Sequence, residues 1–94
     1  MKKEDKNSIV EADHLISGRQ IRMARAALGW RVDDLSKKSG VQWARIQKIE
    51  RNNDITQGVD EKLKLIKQTF EKNGIEFCVS NDNYLGYVRL LKNK

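Results

Sequence analysis

The sequence predicts a mostly α fold, a bundle of four helices followed by a C-terminal β-hairpin, and three observations carry that prediction. Between positions 17 and 74, apolar residues recur at three- and four-residue steps, the spacing of one helical face. Gly29, Gly40 and Gly74 fall where those stripes stop. After Gly74 the period changes to two, as in a strand with one covered side. With 94 residues and 38% hydrophobic content the chain can build one modest core and not two.

Residues 1–16 are highly charged and aperiodic and read as a flexible tail. Residues 17–74 hold the helices. In the first, Ile21, Ala24 and Leu28 form the stripe, Arg19, Arg22 and Arg25 interleave it, and Gly29 follows. In the second, Val32, Leu35, Ser36 and Ser39 repeat the spacing, Asp33 and Asp34 suit the positive end of the helix dipole, and Gly40 supplies a left-handed stop. Trp30, between the two, is expected to cover the core where they meet. The third helix runs from about Gln42 to Arg51, and "NNDITQG" is a polar connection. Val59, Leu63, Ile66 and Phe70 make a fourth stripe, closed by Asn73 and Gly74, with Lys62, Lys64 and Lys67 expected on its solvated face. Residues 75–94 then give the hairpin: Ile75, Phe77 and Val79 alternate with Glu76 and Cys78, "SNDN" turns, and Tyr87 to Leu91 is β-prone. A lone hairpin is marginal in water, so it must pack on the helices or pair with another subunit.

No stretch approaches the roughly 18 apolar residues of a membrane span, and the N-terminus lacks the apolar run of a signal peptide, so a cytoplasmic chain with no membrane partner is expected. One cysteine, Cys78, and one histidine, His14, offer neither an internal disulfide nor a metal site, and no cofactor is expected. Without a nucleophile elbow, a phosphate loop or clustered carboxylates, the chain is not expected to be an enzyme. The net charge of +6 is concentrated in the middle: residues 17–58 carry nine Lys and Arg against four Asp and Glu. Such an excess favours a polyanionic partner through counterion release.

Two short helices joined through "KSGVQ" form a helix, a tight turn and a second helix able to enter a major groove. At about 100° per residue from Ile46, Ile49 lies near 300° and shares its buried side, whereas Gln47 near 100°, Ala44 near 160° and Lys48 near 200° face away. Trp43, near 60°, and Glu50, near 40°, fall on the border. Trp43 is open to two roles, partial burial against the second helix or contact with a DNA sugar or thymine methyl. Arg45, near 260°, is a phosphate contact or a solvent residue rather than a base reader.

Residues 18–52, "GRQIRMARAALGWRVDDLSKKSGVQWARIQKIERN", resemble the helix-turn-helix domain of the Xre family, the Cro and lambda-repressor-like transcriptional regulators. The resemblance rests on Ile21, Arg22, Arg25, Gly29, Trp30, Leu35, Gly40, Val41, Ile46, Ile49, Glu50 and Arg51. "LKLIKQTFEKNGIEF" and the terminal "GYVRL" are similar to a subset of the family with a closing strand pair. The resemblance implies a lambda-repressor-like bundle and a sequence-specific DNA-binding regulator, a repressor or an activator, working as a homodimer on double-stranded DNA. It puts base reading on Trp43, Ala44, Gln47 and Lys48. Phosphate contacts fall on Gln42 and on the loop from Arg51 to Asn53, and Arg31, standing near a family glutamine, can reach a phosphate by charge. Arg25 and Glu50 correspond to a structural ion pair. Arg31 and Val32 replace the usual Ser-Gln start of the second helix, which removes its cap; Ser36 stands for an alanine and Gln42 for a Ser or Thr cap. An alternative reading is an antitoxin-type protein that binds a toxin partner and autoregulates its own promoter.

Overall fold

The computed structural model of the protein describes residues 15–53, 60–83 and 85–92. Four helices, α1 (Gly18–Leu28), α2 (Val32–Ser39), α3 (Trp43–Glu50) and α4 (Glu61–Lys72), precede two antiparallel strands, β1 (Ile75–Cys78) and β2 (Tyr87–Leu90). The expected order of elements is the observed one. The charged segment 1–14, with His14, and the part of the polar connection at 54–59, with Val59, lie outside the described residues.

α1 starts on a reciprocal cap. Ser17 Oγ accepts from the Gln20 amide at 3.1 Å, and Gln20 Oε1 accepts from the Ser17 amide at 3.0 Å. Ile16 precedes the cap and is completely buried, as is Ile21, so the two occupy the positions of a hydrophobic staple. The expected boundary after residue 16 is therefore corrected: Leu15 and Ile16 belong to the domain. A single isoleucine at the end of a charged stretch has no period to betray it.

Between α2 and α3 the chain reverses through Gly40, whose φ of 78° only glycine adopts without strain. Ser36 Oγ donates to the Val41 carbonyl at 2.7 Å, so the serine ties α2 to the turn as well as fitting between the helices. α2 has no side-chain cap at Arg31, as expected, but Asp34 recovers half of the motif by accepting from the Arg31 amide at 2.9 Å.

Ile16, Ile21, Ala24, Leu35, Val41, Ile46, Ile49, Leu63, Ile66, Phe70, Ile75 and Phe77 form one continuous core. Every described segment from Leu15 to Val88 contributes to it or packs on it. Trp30 does not simply bridge α1 and α2. Its ring stacks on Phe70 of α4 with centroids 5.4 Å apart, and the Lys38 ammonium lies 5.3 Å from it on the other element. Lys67 corrects the expectation of a solvated face on α4, since it is buried while Lys62 and Lys64 are exposed. Four residues after Leu63 and three before Phe70, it falls on the inward stripe, where a lysine stem can lie along apolar surface.

The hairpin pairs Ile75 with Leu90 and Cys78 with Tyr87, and Leu91 extends it by donating to the Gly74 carbonyl at 2.7 Å. Ile75 and Phe77 face the core, whereas Val79 lies beyond β1 and is exposed, so the alternation ends one residue pair earlier than the sequence suggests. β1 packs on α4 and β2 on α1, which gives the hairpin the helical support it requires.

Gly18 marks the closest approach in the fold. A Cβ there would lie 2.2 Å from the Asn52 carbonyl oxygen and 2.3 Å from that of Ile49. These are backbone atoms at the end of α3, and they cannot rotate away. Gly18→Ala is accordingly expected to destabilise the fold by about 1–3 kcal/mol, measured as a lowered urea midpoint.

Asp60 caps α4, accepting from the Lys62 and Leu63 amides, and also pairs with Arg45 of α3 at 2.9 Å. Burial disfavours its ionised form, but the hydrogen bonds from Arg45 and the two amides outweigh this and hold its pKa below the ordinary 3.8. The folded chain thus binds this proton less readily than the unfolded chain. The stabilisation is complete above the ordinary value and is lost as pH falls through the lowered one. Unfolding followed by circular dichroism should show Asp60→Asn losing less stability than the parent between about pH 5 and pH 2.

Candidate nucleic-acid interface

α3 is eight residues long and is held by its inner face: Ile46 is completely buried and Ile49 nearly so. That anchoring decides what points outward. Ala44 and Lys48 are exposed, Gln47 is half-buried, and Trp43 keeps 48% of its surface accessible at the first position of the helix. The tryptophan therefore takes an intermediate place, with about half of a large aromatic surface available beside Ala44 and Lys48. The four residues that the sequence nominates for base reading lie on one eight-residue helix whose opposite side is sealed into the core.

The start of α3 is bare. Gln42 occupies the cap position in extended geometry, but its side chain makes no cap hydrogen bond. Its carbonyl accepts from the Arg45 and Ile46 amides, so the helix still begins cleanly. Among the described residues the amides of the first turn have no side-chain acceptor, and a helix N-terminus in that condition attracts anions.

The end of α3 is gripped by α1. Arg25 Nε donates to Glu50 Oε2 and Arg25 Nη2 to Glu50 Oε1, each at 2.8 Å, a bidentate pair with only 8% of the Glu50 side chain exposed. The hydrogen bonds it donates to Glu50 raise the Arg25 pKa above its ordinary value against the opposing effect of burial. Arg25 Nη1 also donates to the Trp30 carbonyl at 3.1 Å. Glu50 thus lies inside rather than on the border, because the guanidinium that α1 offers makes burial of its charge tolerable.

Arg22, one turn earlier on α1, donates through Nη1 to the Glu50 carbonyl and through Nη2 to Asn53 Oδ1 at 2.6 Å. It caps the C-terminal end of α3 and orders the residues that follow. The sequence does not announce this role, although Arg22 lies three residues before Arg25, hence on the same face of α1.

The residues nominated for phosphate contact divide into two kinds. Arg31, Gln42 and Arg51 are exposed, at the start of α2, the start of α3 and the end of α3 respectively. Arg45 and Asn53 are already engaged, with Asp60 and Arg22. Arg45 is thereby a tether between α3 and α4, its charge partly compensated. The sequence misses that tether because the two residues belong to different elements, fifteen positions apart.

Gln20 is a further omission. Buried in the first turn of α1, it donates through Nε2 to the Cys78 carbonyl at 2.9 Å and the Tyr87 carbonyl at 3.1 Å, one on each strand. The available signal was its place three residues after Ser17, as in a reciprocal helix cap, and four before Ala24 on the inward side of α1.

Removing one partner of the central pair leaves the other charge half-buried without compensation. Glu50→Gln is expected to destabilise the domain by about 3 kcal/mol, read from chemical denaturation. Comparison with protein-family models, with curated proteins and with solved structures returned no match.

Proposed function

We propose that the protein is a sequence-specific DNA-binding regulator, a repressor of the Xre, lambda-repressor-like kind, which inserts α3 into the major groove of double-stranded DNA. The observation that carries the reading is the face of α3: Trp43, Ala44 and Lys48 exposed and Gln47 half-buried, over an inner side fixed by Ile46 and Ile49. α2, the Gly40 turn and α3 supply the two helices of a helix-turn-helix unit, and the +5 surplus over residues 17–58 supplies the electrostatics.

In this reading Lys48 donates to guanine O6 and N7, and Gln47 pairs with the N6 and N7 edge of adenine. Ala44 admits a close approach of the groove, and Trp43 packs on a sugar or a thymine methyl. Arg31, Gln42 and Arg51 meet phosphates at the borders of the contact. A homodimer belongs to the proposal, supported by the exposed Leu85, Leu90 and Leu91 on and around the hairpin.

Duplexes selected from a random pool and ranked by fluorescence anisotropy test the reading. Affinity should fall steeply with salt, and Lys48→Ala or Gln47→Ala should each reduce discrimination at a defined base pair by about 1–3 kcal/mol. Unchanged sequence preference in both variants, or binding insensitive to salt, would remove α3 from the role of reader.

A further inference from the structure

Beside the outward face of α3 lies an open cleft of about 300 Å³, lined by Arg22, Gln47, Glu50 and Arg51. Glu50 contributes a carboxylate, but both of its oxygens already accept from Arg25. Counting Arg22, Arg25 and Arg51 against Glu50, two positive charges remain around this space.

The donors are also underused. Arg22 has five N–H groups and commits one on each Nη, to the Glu50 carbonyl and to Asn53, which leaves three without an acceptor among the described residues. Those two bonds fix the plane of its guanidinium. The Arg51 side chain is exposed and has no hydrogen-bond or ion-pair partner among the described residues, and the Gln47 amide is likewise unengaged. A fixed guanidinium, a second guanidinium and an amide thus border one concave space with no free carboxylate among the described residues to satisfy them. A tetrahedral, doubly accepting anion is the chemical class that matches.

We propose that this cleft takes one phosphodiester group of the nucleic-acid backbone, its non-bridging oxygens accepting from Arg22 and Arg51. The inference rests on the DNA-binding reading and deepens it. Arg22, a residue of α1, becomes a backbone contact, and its hold on the Glu50 carbonyl makes the position of that contact rigid with respect to α3. Gln47 lies between the cleft and the base-reading face, so the phosphate would be one flanking the base pair that Gln47 meets.

The test uses the full chain in two arms. In the first, anisotropy on a pool-selected duplex gives the dependence of log affinity on log salt for the parent, Arg22→Gln, Arg51→Gln and the double variant. Each single substitution should lower the slope by about one, weaken binding equally across duplexes and leave their ranking unchanged. In the second, an amide-resolved NMR titration with inorganic phosphate should shift the Gln47, Glu50 and Arg51 signals in the parent and not in Arg22→Gln. A parent that binds duplex with a normal slope, beside variants that keep that slope, overturns the cleft assignment while the DNA reading stands. Phosphate shifts without any duplex binding overturn the phosphodiester assignment together with the DNA reading and leave a free-anion site. Should Arg22→Gln fail to fold, the exposed Arg51→Gln decides: an unchanged slope there overturns the proposal.

Discussion

Glu50 is held twice by the same helix, and the geometry of the outward face depends on that double hold. Arg25 takes its carboxylate through two hydrogen bonds, and Arg22 takes its main-chain carbonyl. An eight-residue helix has little stability of its own, since nucleation costs more than so few hydrogen bonds return. α3 is therefore a product of its surroundings: two isoleucines pull one side into the core, Gly40 and Val41 set its beginning, and the guanidinium pair sets its end. The same feature explains why Gly18 carries no side chain. α1 must come close enough for its arginines to reach, and at that distance its first turn lies against the carbonyls of Ile49 and Asn52.

The proposed role, binding a large polyanion, demands a surface that does not reorganise when charge arrives. A loosely held helix would have to be ordered on contact, and that ordering would reduce affinity. Here the polar groups around α3 fall into two populations. One is structural and mutually satisfied: Arg25 with Glu50, Arg45 with Asp60, Ser36 with the Val41 carbonyl. The other, comprising Lys48, Arg31 and Arg51, is exposed and makes no ion pair among the described residues. This separation lets the domain carry a basic middle segment without the cations competing for the same acidic partners.

Most of the fold was legible because its signals are local. The 3.6-residue stripes, the glycine stops and the change to a period of two are each contained within one element, and each element appears where they indicate. The outward side of α3 was legible for the same reason, since two isoleucines three residues apart fix which way the remainder points. The unread features are all contacts between elements distant in sequence. Nothing within α4 reveals that Asp60 meets Arg45, and nothing within α1 reveals that Gln20 meets both strands. Lys67 misled because its charge outweighed its place in the stripe, and Ile16 because a solitary apolar residue has no period. Trp43 stood at an angle where small rotations of the ring exchange burial for exposure, which no count of residues per turn resolves.

Gln20 has one further consequence. Its amide nitrogen touches the last registered pair of the hairpin on both sides, while its oxygen belongs to the first turn of α1. The side chain acts as a gauge of set length between the sheet and the bundle. A methylene less and it could not span the gap; a methylene more and the space that Gly86 keeps empty beside it would have to widen. Whatever seats itself on the hairpin therefore meets a platform whose distance from α1 is already fixed, and strain applied to the strands would be felt at the first turn of the helix that secures the outward face.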